Sequence, residues 1–421
     1  MAHQFKKMMA IAAASGLALA ACSDGGSDNA SGSGKSDDAA NTARGPITFA
    51  MGKNDTDKLR PVIEAWNKEH PDEEVKLQEL AGEADAQRDT LVQSLQAGQD
   101  DIDVMALDVV WTAQFAANGW LAPLEGDLEV DTSKLLQPTV ESATYNDKLY
   151  ALPQNTNAQL LYRNTDKVKE APKNWGDLVK ACKKVKGQDC LTTQLKQYEG
   201  LTVATDSFMN GWGGGILDDD GKVIATDKKS QEGLQALVDA YKDGTIATSS
   251  TGATEEETNL AFTQGQTAMA INWPYMYTNA EDEGSAVKGK TEVSPLVGKD
   301  GVGVSTLGGY NNGINVNSKH KATARDFMEF VISEDNQRWF AQQSFPPVLA
   351  SIYDEDDLQV EFPYMEALKK SLEHAKPRPA SPTYDALSKA VQDNAYAAIT
   401  QNRPIEKATE DMKKAIEAAQ G

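Results

Sequence analysis

Pro46-Ile47-Thr48-Phe49-Ala50-Met51 is a short apolar run that opens the stretch deciding the fold. A polar loop at 52–56 follows it. Leu59, Val62, Ile63 and Trp66 then recur at the three- and four-residue spacing of a buried helix face, and the helix stops before Pro71. Residues 75–80 alternate apolar and polar, as a strand half-buried on one face does. Residues 87–97 read as helix again. Asp103-Val104-Met105-Ala106-Leu107 reads as a buried strand. This β-α-β-α-β order predicts an α/β fold, a sheet with crossover helices on its faces.

The rest of the chain continues in the same style. Helices are expected at 175–186, 230–243, 255–264, 322–332, 333–343, 361–375, 382–401 and 404–419. Strand-like pieces lie at 159–162, 267–271 and 313–316. The folded part, Pro46 to Gly421, is too long for one typical core, so two lobes are expected. No internal repeat is visible.

Ahead of Pro46 the chain reads differently. Lys6 and Lys7 precede an uncharged apolar or small run from Met8 to Ala21. That run is too short to span a bilayer as a stable helix and has the length of a signal-peptide core. It ends in Leu19-Ala20-Ala21-Cys22, which matches the lipobox of bacterial lipoproteins. In those proteins the matching thiol is diacylated and the preceding segment removed, so 1–21 is expected to be a signal peptide and Cys22 a lipid anchor. Residues 22–45 are rich in Ser, Gly, Asp, Asn and Ala and read as a flexible tether. Gly32-Ser33-Gly34-Lys35-Ser36 inside it ends like a phosphate-binding loop, but Asn29 stands where the first Gly belongs. It also lacks the flanking strand and helix that aim backbone N–H groups at phosphate.

The formal net charge of −22 disfavours nucleic acid and anionic lipid headgroups as partners. Cys182 and Cys190 are the only cysteines besides Cys22, and outside the cell so close a pair reads as a local disulfide; two free thiols are the alternative. His3, His70, His320 and His374 are scattered, with no partner at metal-ligand spacing, so neither metal nor cofactor is expected. Asp218-Asp219-Asp220-Gly221 resembles the start of a calcium loop but lacks the later ligands, and reads instead as a hairpin turn. Trp212-Gly213-Gly214-Gly215 reads as a flexible turn. No Gly-x-Ser-x-Gly elbow and no metalloprotease histidine pair occur.

Strand-to-helix junctions in such sheets are where ligands dock. Here Asp108 and Trp111 follow the third strand, and Asn155 and Asn157 follow Leu152-Pro153. Trp273-Pro274-Tyr275 follows another strand, Gly308-Gly309-Tyr310-Asn311 precedes one, and Arg378 lies between two helices. Planar hydrogen-bonding groups, flat aromatic faces and closely approachable glycine backbone are the three surfaces that a sugar's hydroxyls and C–H faces require. Singly, each residue has a plainer reading: Trp111 or Trp273 as core, Gly308-Gly309 as a bend, Arg378 as a surface charge, Asp108 as a helix cap.

Together these segments resemble the extracellular carbohydrate-binding lipoproteins of ATP-binding cassette importers, family 1 of the bacterial solute-binding proteins, and most of all its trehalose and maltose binders. The resemblance rests on residues 103–111, 156–162, 265–275, 307–311 and 378–384, in that order and spacing. It implies two α/β lobes of the periplasmic-binding-protein kind joined by three chain crossings. Lobe one would be 46–154 plus 305–357, and lobe two 155–304 plus 358–421. It implies sugar contacts at Asp108, Asn157, Trp273, Gly308, Gly309 and Arg378, with Asn54 or Asp55 adding another. Trp111, Tyr275 and Tyr310 complete the candidate set. Some relatives carry apolar residues at the positions of Asn155 and Tyr310. The implied partners are a disaccharide or short α-glucoside, the permease subunits of an importer, and the membrane through lipid on Cys22. A monomer on the outer face of the membrane is expected. A lipid-anchored glycoside hydrolase and a peptide- or polyamine-binding lipoprotein are the alternative readings.

Overall fold

The computed structural model describes residue 39, residues 41–218 and residues 220–421. The signal peptide, Cys22, most of the tether and Asp219 lie outside the described residues.

Strands, in chain order, are β1 (Ile47–Gly52), β2 (Val75–Leu80), β3 (Val104–Asp108), β4 (Thr144–Tyr145), β5 (Lys148–Leu149), β6 (Ala151–Ala158), β7 (Leu160–Asn164), β8 (Asp189–Thr192), β9 (Thr267–Asn272), β10 (Thr291–Pro295) and β11 (Leu307–Ile314). They form a five-stranded sheet in the order β2-β1-β3-β11-β6, a four-stranded sheet in the order β10-β7-β9-β8, and the small β4-β5 hairpin. The opening stretch folds as its periodicity predicts. β1 lies parallel between β2 and β3, with helices Thr56–Glu69 and Ala84–Gln96 as the crossovers. β11 then runs antiparallel to both β3 and β6.

Alternation along the strands sorts side chains onto two faces. Met105 and Leu107 of β3, with Leu161 of β7 and Ile271 of β9, belong to one buried apolar cluster. Val104, Ala106, Tyr162 and Ala270, their sequence neighbours, belong to the other. Each cluster therefore extends through both lobes.

The chain passes between the sheets at three places, and these touch. Gln159, the single residue between β6 and β7, donates its backbone N–H to Ser305 Oγ at 2.7 Å, and its carbonyl accepts from Ser371 Oγ at 3.2 Å. Just beyond, the Leu307 N–H donates to the Lys376 carbonyl at 2.7 Å and the Lys376 N–H to the Ser305 carbonyl at 3.0 Å. β6 lies wholly in the five-stranded sheet, so Asn155 and Asn157 stand before the first passage.

Other details differ from the sequence reading. The helix expected at 175–186 ends at Cys182, which is bonded to Cys190. Helix Glu199–Gly211 and strands β8 and β10 were not foreseen. β11 begins at Leu307, so Gly308 and Gly309 are strand residues and not a bend before a strand at 313–316. The run after Trp212 is packed, because a Cβ on Gly214 would lie 2.4 Å from the Ser230 backbone nitrogen. Leu217 and Val223 pair across an antiparallel bridge and Gly221 has a positive φ, as the hairpin reading expects. Among the described residues no helix is long and apolar enough to cross a membrane.

Candidate functional site

Ten of the eleven candidate residues line one cavity of about 720 Å³, its mouth included. Trp111 is the exception. It is 3 % exposed and stacks on Phe115 within the core, because the chain turns into helix Thr112–Ala117 immediately after it and carries the indole inward.

Asn54 and Asp55 sit in the turn after β1, and Asp108 ends β3. Asn157 of β6 faces Gly308 of β11 across one register position. Trp273 and Tyr275 follow β9, and Arg378 follows the third passage between the sheets. The wall is thus drawn from both lobes.

Both glycines are required by contact. A Cβ on Gly308 would fall 2.9 Å from the Trp273 ring, and one on Gly309, at φ +121°, would fall 2.3 Å from the Asn155 carbonyl. Trp273 therefore lies against bare strand backbone. Its N–H donates to Asn272 Oδ1 at 2.9 Å, and its carbonyl accepts from the Tyr162 hydroxyl at 2.8 Å, which fixes the turn.

Arg378 is buried and forks between two carboxylates. Nη2 donates to Asp108 Oδ1 and Nη1 to Glu199 Oε1, each at 2.6 Å. Asp108 also accepts from the Val110 N–H at 3.2 Å, so it caps the following turn as well as pairing with the arginine. Glu199 accepts from the Tyr384 and Ser388 hydroxyls, both at 2.5 Å. Burial lifts Glu199 to about 7; Arg378 pulls it down and Asp108 pushes it up. Burial likewise lifts half-buried Asp55 to about 6, with Lys58 opposing and Asp57 and Glu256 adding to the rise. Glu255, which accepts from the Tyr198 hydroxyl at 2.7 Å, is raised for the same first reason.

Glu199, Gly200, Val203, Glu255, Gln87, Ser344 and Phe345 also line the cavity and were not singled out in the sequence. No local signal marks Glu199 or Glu255 among 63 acidic residues. Ser344 carries a signal only in its backbone, with φ at +53° where a side chain is disfavoured.

Four residues of this wall hold buried polar atoms without a hydrogen-bond partner: Gln87 Oε1, Asn157 Oδ1, Ser344 Oγ and Arg378 Nε. Such atoms each cost about 1–3 kcal/mol unless something satisfies them. A second cavity, of about 460 Å³ under Trp175, Phe208 and Trp212, is largely apolar and contains none of the candidate residues. Among the described residues no group of three His, Cys, Asp or Glu could hold a metal ion.

A family model described as bacterial extracellular solute-binding protein matches residues 52–338. A probable ABC transporter-binding protein of Deinococcus radiodurans is 30 % identical over 369 residues, 82 % of this chain and 86 % of that one. The arabinooligosaccharide-binding protein of Bacillus subtilis is 25 % identical over 321 residues, 72 % of this chain and 73 % of the relative. Among solved structures, maltose-bound MalE3 of T. maritima is 30 % identical with a TM-score of 0.84, covering 89 % of this chain and 99 % of that one.

Proposed function

The chain belongs to the bacterial extracellular solute-binding proteins and is a sugar-binding component of an ATP-binding cassette importer, not an enzyme, and from that premise we propose that it captures a disaccharide or short α-glucoside of the trehalose or maltose type and delivers it to a permease. The observation that carries this reading is the set of four buried, unpartnered polar atoms on a wall that also presents Trp273 and bare glycine backbone. Each sugar hydroxyl both donates and accepts, so one ring can meet the two amide oxygens, the Ser344 hydroxyl and Arg378 Nε. Its C–H face suits the Trp273 indole. The bound maltose of the T. maritima relative and the name of the B. subtilis relative support the ligand class.

In this proposal Asp108, Asn157, Gly308, Gly309 and Arg378 hold hydroxyls, Trp273 and Tyr275 stack, and Asn54, Asp55 and Tyr310 line the second sugar unit. The lobes close by turning about the three passages, and the closed form is the one the permease receives. Titration calorimetry with trehalose, maltose, sucrose and longer glucosides tests it. Binding of one of these in preference to peptides is expected; binding of a peptide or polyamine with no saccharide bound would overturn it.

Anchoring on the outer face of the membrane through diacylated Cys22 is part of the same proposal. Cys22→Ser should move the protein from the membrane fraction to the medium while leaving calorimetric affinity unchanged. Loss of affinity would show that anchor and binding body are not separate modules.

A further inference from the structure

The wall of the cleft carries more negative charge than its own cation balances. Asp55, Asp108, Glu199 and Glu255 line it, against the single guanidinium of Arg378. That guanidinium is shared by Asp108 and Glu199, and Glu255 is met by the Tyr198 hydroxyl. Asp55 receives no side-chain hydrogen bond from any described residue; Lys58, whose charge acts on it, is bonded to Asp57 at 3.0 Å.

An independent observation marks the same wall as one that takes a donor from a ligand. Gln87, 2 % exposed and on the same wall, has an amide oxygen with no partner. A hydroxyl brings one donor with two acceptor lone pairs, whereas an ammonium brings three donors and no acceptor. Either can satisfy Gln87 Oε1, but only the ammonium also brings the charge that Asp55 lacks.

We infer that the cleft selects a basic saccharide, one with a protonated amine on a ring or exocyclic carbon, over its neutral counterpart, and that Asp55 receives the ammonium. The inference rests on the sugar-capture reading and narrows it. Tyr310 lines the same cavity, and its hydroxyl is pushed up by burial first and then by the charges of Asp55 and Asp108. Burial lifts Asp55 to about 6, so with no cation bonded to it this carboxylate is driven toward taking a proton. The groups acting on Asp55 are Lys58, Asp57 and Glu256; those acting on Glu199 are Arg378, Asp108, Tyr384 and Ser388. A bound ammonium supplies the missing charge without protonation.

Calorimetry at pH 7.5 and low salt should compare trehalose and maltose with their 2-amino-2-deoxy and 6-amino-6-deoxy derivatives and with the N-acetylated forms of these. At least one amino derivative is expected to bind about tenfold or more tightly than its parent, the worth of one charge-assisted hydrogen bond. N-acetylation should erase the gain, and in Asp55→Asn the ratio of amino to parent affinity should fall to about one. Amino derivatives that bind no better than parents that do bind would overturn this inference and leave sugar capture standing. So would a gain that survives in Asp55→Asn. Failure of every saccharide, neutral or basic, would bring down both.

Discussion

Arg378 settles a question that its residue type leaves open. Taken alone in the sequence it reads more often as a surface charge; in the structure it is 5 % exposed and carries a carboxylate on each terminal nitrogen. Fork geometry is what lets one cation hold two anions at fixed angles, and a lysine would not reproduce it. Glu199 behind it titrates with a definite sign. Its folded value, about 7, lies above the ordinary carboxylate value of about 4.3, so the native state holds its proton the more tightly. The stability contributed is fully present below about pH 4.3 and is lost as pH rises through 7. Thermal melts of the ligand-free protein should therefore fall more steeply from pH 5 to pH 8 than those of Glu199→Gln, the difference amounting to at most about 3 kcal/mol. Equal slopes would mean that Glu199 is ionised throughout. Trp273 offers the simpler test. It is part-exposed, so Trp273→Ala should fold normally while weakening sugar binding by about 1–3 kcal/mol in calorimetry. Unchanged affinity would remove it from the site.

At the scale of elements, legibility followed environment. β1, β2, β3 and their crossover helices each bury one face or lie in a plain apolar strand, so period and composition disclose them. Helix Glu199–Gly211 has no such period: every residue from Glu199 to Asn210 is buried, polar ones included, and the hydrophobic stripe that marks a helix is absent. β11 was misplaced for a related reason. Gly308, Gly309, Asn311 and Asn312 have loop-like chemistry, yet all four are buried strand residues, and Asn311 is held by Thr112 Oγ1 and Ser142 Oγ, both at 3.1 Å. Most of the cavity wall was legible because its residues sit at strand ends; Glu199 and Gln87 were not, because they come from helices whose approach only tertiary packing sets. That packing is itself testable. Gly233 of helix Lys228–Lys242 rests on Glu199–Gly211, where a Cβ would lie 2.6 Å from both Met209 Cα and the Phe208 carbonyl. Backbone cannot yield as a flexible side chain does, so Gly233→Ala should cost about 1–3 kcal/mol in urea denaturation despite its better helix propensity. A neutral or stabilising result would mean the two helices slide apart at little cost.

Over the whole molecule, the two lobes meet at more than the three passages. Arg88 of the first lobe lies 3.1 Å from Asp385 of the second, Glu83 pairs with Lys196, and Asp85 accepts from Gln392 at 3.3 Å. Deeper in, Asp108 and Arg378 join the same two bodies. Helix Ala84–Gln96 and the residue before it thus form one rim of the cleft, bonded in a row to its opposite side. The outer pairs are part-exposed, so each is worth only about 0.2–1 kcal/mol and is weakened by salt. None of the residues in these outer pairs lines the cavity, so any effect on sugar binding must come through the population of closed lobes. If they bias the lobes toward closure, removing them lowers the binding-competent fraction, and apparent affinity falls by that fraction. Lys196→Ala combined with Arg88→Ala should therefore raise the radius of gyration of the ligand-free protein in solution scattering. The same double variant should weaken sugar binding by roughly three- to tenfold. In wild type, 0.5 M salt should produce the same expansion, and in the double variant salt should add little. Saturating sugar should bring both proteins to one closed radius, because the ligand's own contacts span the cleft whether or not the rim is bonded. A double variant that matches wild type in radius and affinity would show that the passages alone set the angle between the lobes.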